Sequence, residues 1–131
     1  MPSITGTHHA AFTVSDVERS ADWYCSLLGM QVVLSNDDDT VSLRVLADPQ
    51  SGWILGVRQY HGREADTFDE FRTGLDHLAL EVSSRDELDA WERELADRGI
   101  TFTPAVDTPI GSVIAFRDPD NIQLEFWHSP G

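Results

Sequence analysis

The sequence predicts an α+β fold built from two βαβββ units. Three observations carry this: a segment that recurs at one constant offset, a helical apolar period followed by β-rich runs in each copy, and turn-forming clusters between the runs. Setting HAAFTVSDVERSADWYCSLLGMQV from His9 against HLALEVSSRDELDAWERELADRGITF from His77 superposes His9 on His77, Ala11 on Ala79, Val14 on Val82, Trp23 on Trp91 and Leu27 on Leu95. The downstream halves correspond too, since ADPQSGWILGV resembles RDPDNIQLEF once one residue is inserted in the first copy.

Each unit opens with a strand whose residues alternate between faces, His9, Ala11 and Thr13 on one and Ala10, Phe12 and Val14 on the other. A helix follows, its start marked by Ser-x-x-Glu capping boxes, Ser15 to Glu18 and Ser84 to Glu87. Val17, Ala21, Tyr24 and Leu28 recur at helical spacing, as do Leu88, Trp91 and Leu95; Trp23 and Trp91 read as packing residues beside these stripes. Gly29 and Gly99 end the helices. Three β-rich segments complete each copy: MQVVLS, TVSLRVLA and WILGVRQY, then ITFTPAV, SVIAFR and IQLEFWH. The aspartates after Asn36, and DPQSG, DTPIG and DPDN, supply the turns. The chain is thus expected to be one domain, with module 1 over about 5–60 and module 2 over about 75–128. The stretch 61–74 reads as a surface linker with one helical turn around Phe68 and Phe71.

Among 131 residues, 23 acids face nine arginines and no lysine, a formal net charge of −14. That field repels nucleic acid and anionic membranes, so neither is expected as a partner. No basic segment precedes a long apolar run, and no apolar run approaches a membrane span, so a cytoplasmic location is expected. Cys25 is the single cysteine, which excludes internal disulfides and thiolate-rich metal clusters; it falls among helix packing residues, away from a nucleophile's setting.

A metal site needs electron-pair donors that converge from separate parts of a fold, and duplication brings equivalent positions towards a shared surface. His9 and His77 open the first strand of each copy on corresponding faces. The last strand of the second copy offers Glu125, with Gln123 and Trp127 on its face; the first-copy equivalent of Glu125 is Gly56. Two imidazoles and one carboxylate leave coordination positions free, an arrangement typical of non-haem Fe(II) and open to Mn, Co, Ni or Zn. The competing reading makes both histidines ordinary strand residues. His8, His61 and His128 fall off the repeat-matched positions and read as non-ligands. Strand alternation sets Arg58 and Tyr60 with Gly56, so Arg58, Tyr60, Gln123 and Trp127 are the candidate substrate contacts.

The opening HHAAFTVSDVERSADWYCSLLGM, the strand DHLALEV and the closing FRDPDNIQLEFW resemble the vicinal oxygen chelate superfamily, which includes glyoxalase I, extradiol dioxygenases, fosfomycin-resistance transferases and bleomycin-resistance proteins. The resemblance covers the whole chain. It implies two paired βαβββ modules forming an open, cup-shaped sheet, commonly in a homodimer, with one divalent metal ion at the centre held by His9, His77 and Glu125. His9 rather than His8 is then the ligand.

The chain also departs from these relatives. Glyoxalase I and methylmalonyl-CoA epimerase carry a fourth ligand where this chain has Gly56, and extradiol dioxygenases show a histidine and a tyrosine upstream of the Asp-Pro turn that AVDTPIGSVIAFRDP lacks. Fosfomycin transferases have strongly cationic sites, for which only Arg58 or Arg117 is at hand here; bleomycin-binding relatives have lost the ligands this chain keeps. The expectation is a divalent-metal-dependent enzyme, of lyase/isomerase or dioxygenase type, that chelates a small oxygen-rich organic substrate through two oxygens. Glu125 would serve in catalysis as well as in ligation. The alternative is a protein that sequesters an antibiotic or other natural product without turnover.

Overall fold

The computed structural model describes residues 1–64 and 66–130, so Ala65 of the linker lies outside the described residues. Two compact units divide the chain, Met1–Asp66 and Thr67–Gly131. Each contains an open four-stranded sheet and one helix.

The first unit runs β1 (His9–Thr13), α1 (Val17–Leu28), β2 (Gln31–Asp37), β3 (Val41–Ala47) and β4 (Ile54–Tyr60), in sheet order β1-β4-β3-β2. β1 and β4 are parallel, and the helix with the β2–β3 hairpin supplies the crossover that a parallel pair needs. Phe12, Val14, Leu46, Leu55 and Val57 are buried from the sheet, and Val17, Ser20, Ala21, Tyr24 and Leu27 from the helix. Leu27, not Leu28, completes the buried stripe; it lies two turns beyond Ser20, and Leu28 is half-buried at the rim. The capping box also shifts by one residue. Asp16 is the cap, its carboxylate accepting the Arg19 N–H at 3.1 Å, while Ser15 Oγ takes the Arg19 guanidinium and Glu18 pairs with Arg44. A carboxylate at this end also complements the helix dipole, which a serine hydroxyl does not. Gly29, at φ 70°, closes the helix with its N–H on Cys25 O.

The second unit repeats this order with β5 (Leu78–Glu81), α2 (Arg85–Asp97), β6 (Phe102–Thr108), β7 (Gly111–Arg117) and β8 (Gln123–His128), arranged β5-β8-β7-β6. Ser84 caps α2 by accepting the Glu87 N–H at 3.0 Å. The helix ends in a Schellman motif, Ile100 N–H on Leu95 O and Gly99 N–H on Ala96 O, with Gly99 left-handed. Leu88 and Leu95 are fully buried, and Trp91 stacks on Phe126 at 4.5 Å.

The two units also agree in register. Ala11 pairs with Gly56 in the first sheet and Ala79 with Glu125 in the second, so the inserted residue falls inside the first Asp-Pro turn. Both turns close on a left-handed residue, Gly52 at φ 77° and Asn121 at φ 67°.

At the start of the second unit, the segment predicted to hold a helical turn makes one non-helical turn instead. Arg72 N–H reaches Asp69 O, but the Asp69 side chain takes the Phe71 N–H at 3.0 Å, competing with the backbone as aspartate does at turns. Phe68 is tied to the second unit, its N–H on Asp120 O at 2.7 Å and its carbonyl accepting Asn121 Nδ2 at 3.1 Å.

Gly111, at φ 147°, opens β7 against the end of β8, where an added Cβ would lie 2.5 Å from the His128 carbonyl oxygen. Gly111→Ala is therefore expected to cost at least about 2 kcal/mol, read as a lower urea midpoint at unchanged slope.

Candidate functional site

Period-two alternation on β8 sets Gln123, Glu125 and Trp127 on the sheet face away from α2, with Leu124 and Phe126 packed in the core. Glu125 is buried, 8% exposed, although it carries an acid. Its Oε2 accepts Gln123 Nε2–H at 2.8 Å and its Oε1 accepts the Trp127 indole N–H at 2.7 Å. His77, at the entry to β5, brings Nε2 to 3.2 Å from Glu125 Oε1.

Asp76 takes the other ring nitrogen. Its Oδ1 accepts Nδ1–H of His77 at 2.7 Å, which fixes the ring with Nε2 towards the Glu125 oxygen. The two atoms stand 3.2 Å apart, a spacing that a proton on Nε2 bridges and that a cation bound by both would replace. The donor set suits a borderline divalent cation: an imidazole nitrogen oriented by a carboxylate, beside a carboxylate that is itself hydrogen-bonded. Among the described residues no group of three or more His, Cys, Asp or Glu side chains is gathered to hold a metal ion, so His77 and Glu125 stand as a pair.

Behind Gln123 stands Arg117. Its Nη2 donates to Gln123 Oε1 at 3.1 Å, and both Nη atoms grip Glu70 at 2.9 and 3.1 Å. Arg117 holds the Glu70 carboxyl down at about 2.

The other candidates belong to the first unit. His9 is exposed on β1, its Nδ1 2.8 Å from His8 Nδ1, one ring donating and the other accepting. Arg58 and Tyr60 follow Gly56 at alternate positions on β4, both exposed, with Arg58 paired to Thr13 and Gly56 to Ala11. A Cβ at Gly56 would meet Ala11 Cβ at 3.4 Å and Ala10 O and Ala11 Cα at 3.9 Å, and the residue does not have a positive φ, so backbone geometry does not demand glycine there. Cys25 is half-buried, and burial pushes its thiol up, away from the thiolate that a nucleophile needs. The sequence reading passed over Asp76 and Glu70. For Asp76 the only signal was its place opposite His8 in the repeat; Glu70 had none, since its role depends on where the linker folds.

Comparison with known proteins agrees with this architecture. The family model described as Glyoxalase/Bleomycin resistance protein/Dioxygenase superfamily matches residues 6–126. The crystal structure of a glyoxylase/bleomycin resistance protein/dioxygenase domain from Frankia sp. EAN1pec superposes with a TM-score of 0.91 at 38% identity, over 98% of this chain and 100% of that one. A glutamate-to-glutamine mutant of the genomically encoded fosfomycin resistance protein FosX of Listeria monocytogenes, complexed with Mn(II) and 1S,2S-dihydroxypropylphosphonic acid, shares the fold with a TM-score of 0.71 at 17% identity, over 95% and 93% of the two chains. A catechol-2,3-dioxygenase of Bacillus subtilis (strain 168) is 26% identical over 126 residues, 91% of this chain. The chain spans 40% of that dioxygenase's length.

Proposed function

This chain belongs to the glyoxalase/bleomycin resistance protein/dioxygenase superfamily, and on that premise we propose that it is a divalent-metal-dependent enzyme acting on a small oxygen-rich organic molecule. The observation that carries the reading is the His77–Glu125 pair, an imidazole nitrogen and a buried carboxylate oxygen 3.2 Å apart with Asp76 fixing the ring. His9 is the third ligand in this reading. Its tautomer must then carry the proton on Nδ1, donated to His8, so that Nε2 is left to bind.

A cation held there supplies Lewis acidity to a substrate that offers two neighbouring oxygens. The chain's own side chains do the rest. Asp76 keeps His77 in the binding tautomer, and Trp127 and Gln123 hold the Glu125 carboxylate by one N–H on each oxygen. In this reading Glu125, a buried acid beside His77, also serves as the acid–base group. Arg58 and Tyr60 bind the substrate's outer atoms, and Gly56 leaves the space that a side chain would fill. FosX, seen with Mn(II), supports a metal of this class in the fold, though its likeness to this chain is of fold alone.

Elemental analysis of untreated protein, with its absorption spectrum, tests the proposal. About one Fe, Mn, Co, Ni or Zn per site is expected. A metal-free protein that takes up none of these ions and instead binds a large aromatic natural product would overturn it in favour of sequestration.

A further inference from the structure

Gln123 sits between a donor-only and an acceptor-only neighbour. Arg117 can only donate, so the end of the amide that faces it is Oε1; ionised Glu125 can only accept, so the other end is Nε2. Both neighbours therefore dictate the same orientation. Arg117 is in turn set by Glu70, which binds it through both carboxylate oxygens, and by the Asn121 carbonyl at 3.0 Å. Glu70 comes from the segment that opens the second unit, which is anchored by the two hydrogen bonds between Phe68 and the Asp120–Asn121 turn.

We propose that Glu70 and Arg117 are positioning residues for the candidate metal centre, locking the Gln123 amide so that it donates to Glu125 Oε2 and holds the carboxylate towards His77. The inference rests on the reading of His77 and Glu125 as ligands. Neither Glu70 nor Arg117 touches those residues, so each acts through Gln123. The Glu70–Arg117 pair is partly buried, its side chains 27% and 35% exposed, and its bidentate geometry fixes the direction in which the guanidinium presents Nη2 to Gln123. An arginine is needed rather than a lysine because one planar fork must serve Glu70, Gln123 and the Asn121 carbonyl together.

The test uses two readouts on the full chain, with Mn(II) as the probe. Calorimetric titration should show Mn(II) binding weakened by about 10- to 100-fold in Arg117→Met, a smaller loss in Glu70→Gln, and no rescue by Arg117→Lys, while the metal-free melting temperatures stay within a few degrees of wild type. In the metal-free protein the Gln123 side-chain NH2 resonances should exchange slowly in wild type and lose that protection in Arg117→Met. Mn(II) affinity unchanged in all three variants, or an amide that stays equally protected without Arg117, overturns the proposal. A wild-type chain that takes up no Mn(II), with amide protection still lost in Arg117→Met, removes the metal reading and leaves the Arg117–Gln123 link standing.

Discussion

Replacing His77 with alanine is expected to erase metal-dependent stabilisation while leaving the metal-free protein almost unchanged. The His77 side chain is 39% exposed and stands at the mouth of β5, so its loss removes little packing; a change within about 0.5 kcal/mol is expected without metal. In wild type, a cation present at a hundred times its dissociation constant adds about 2.7 kcal/mol. His77→Ala should lose that gain, with affinity falling by more than the roughly 100-fold upper bound for an outer partner. Glu125→Gln should lose it too, but with a different baseline. The new amide would present an N–H either to the Gln123 NH2 or to the Trp127 indole, and Arg117 holds Gln123 so that it cannot turn away. A buried donor left without an acceptor costs about 1–3 kcal/mol, so this variant should melt earlier even without metal. Thermal melts with and without Mn(II) read both effects. A His77→Ala protein that still gains stability from Mn(II) would remove His77 from the ligand set.

Phe126→Ala is expected to produce the largest loss of stability, about 3–5 kcal/mol. The ring is 2% exposed and lies between two aromatic partners, stacked on Trp91 at 4.5 Å and tilted against Phe116 at 4.8 Å. Truncation leaves a hollow bounded by a helix on one side and β7 on the other, neither of which can close it without breaking register. Urea denaturation measures the effect; a loss below about 1 kcal/mol would mean that the site collapses far better than this packing allows. Because Phe126 adjoins Glu125 in sequence and shares its strand, the variant should also bind metal more weakly.

Much of this was legible from the repeat. The offset that matched His9 to His77 gives the element order of both units, and the residue inserted in the first copy makes Gly56 the equivalent of Glu125, an equivalence that their pairing with Ala11 and Ala79 bears out. Errors of one residue arose where neighbours compete on nearly equal terms. Ser15 and Asp16 can both cap a helix, and Leu27 and Leu28 both lie within a broad apolar arc. The Glu125 surroundings are half legible: strand alternation places Gln123 and Trp127 on its face, whereas nothing in the sequence ties Arg117 or Glu70 to it. A contact set by the path of an irregular segment leaves no periodic trace. Asp69 shows the same limit, since its side chain diverts the backbone from the helical turn that the apolar spacing of Phe68 and Phe71 suggested.

β2 forms one rim of its sheet, and along it Val32, Val33 and Leu34 are all about half uncovered, next to the run Asp37, Asp38 and Asp39. Such a rim invites strand-to-strand docking between molecules, and negative charge is what keeps them apart. That protection reaches only about 10 Å in 0.1 M salt and about 3 Å in 1 M salt. Concentrated stocks should therefore stay clear in dilute buffer and turn cloudy in brine.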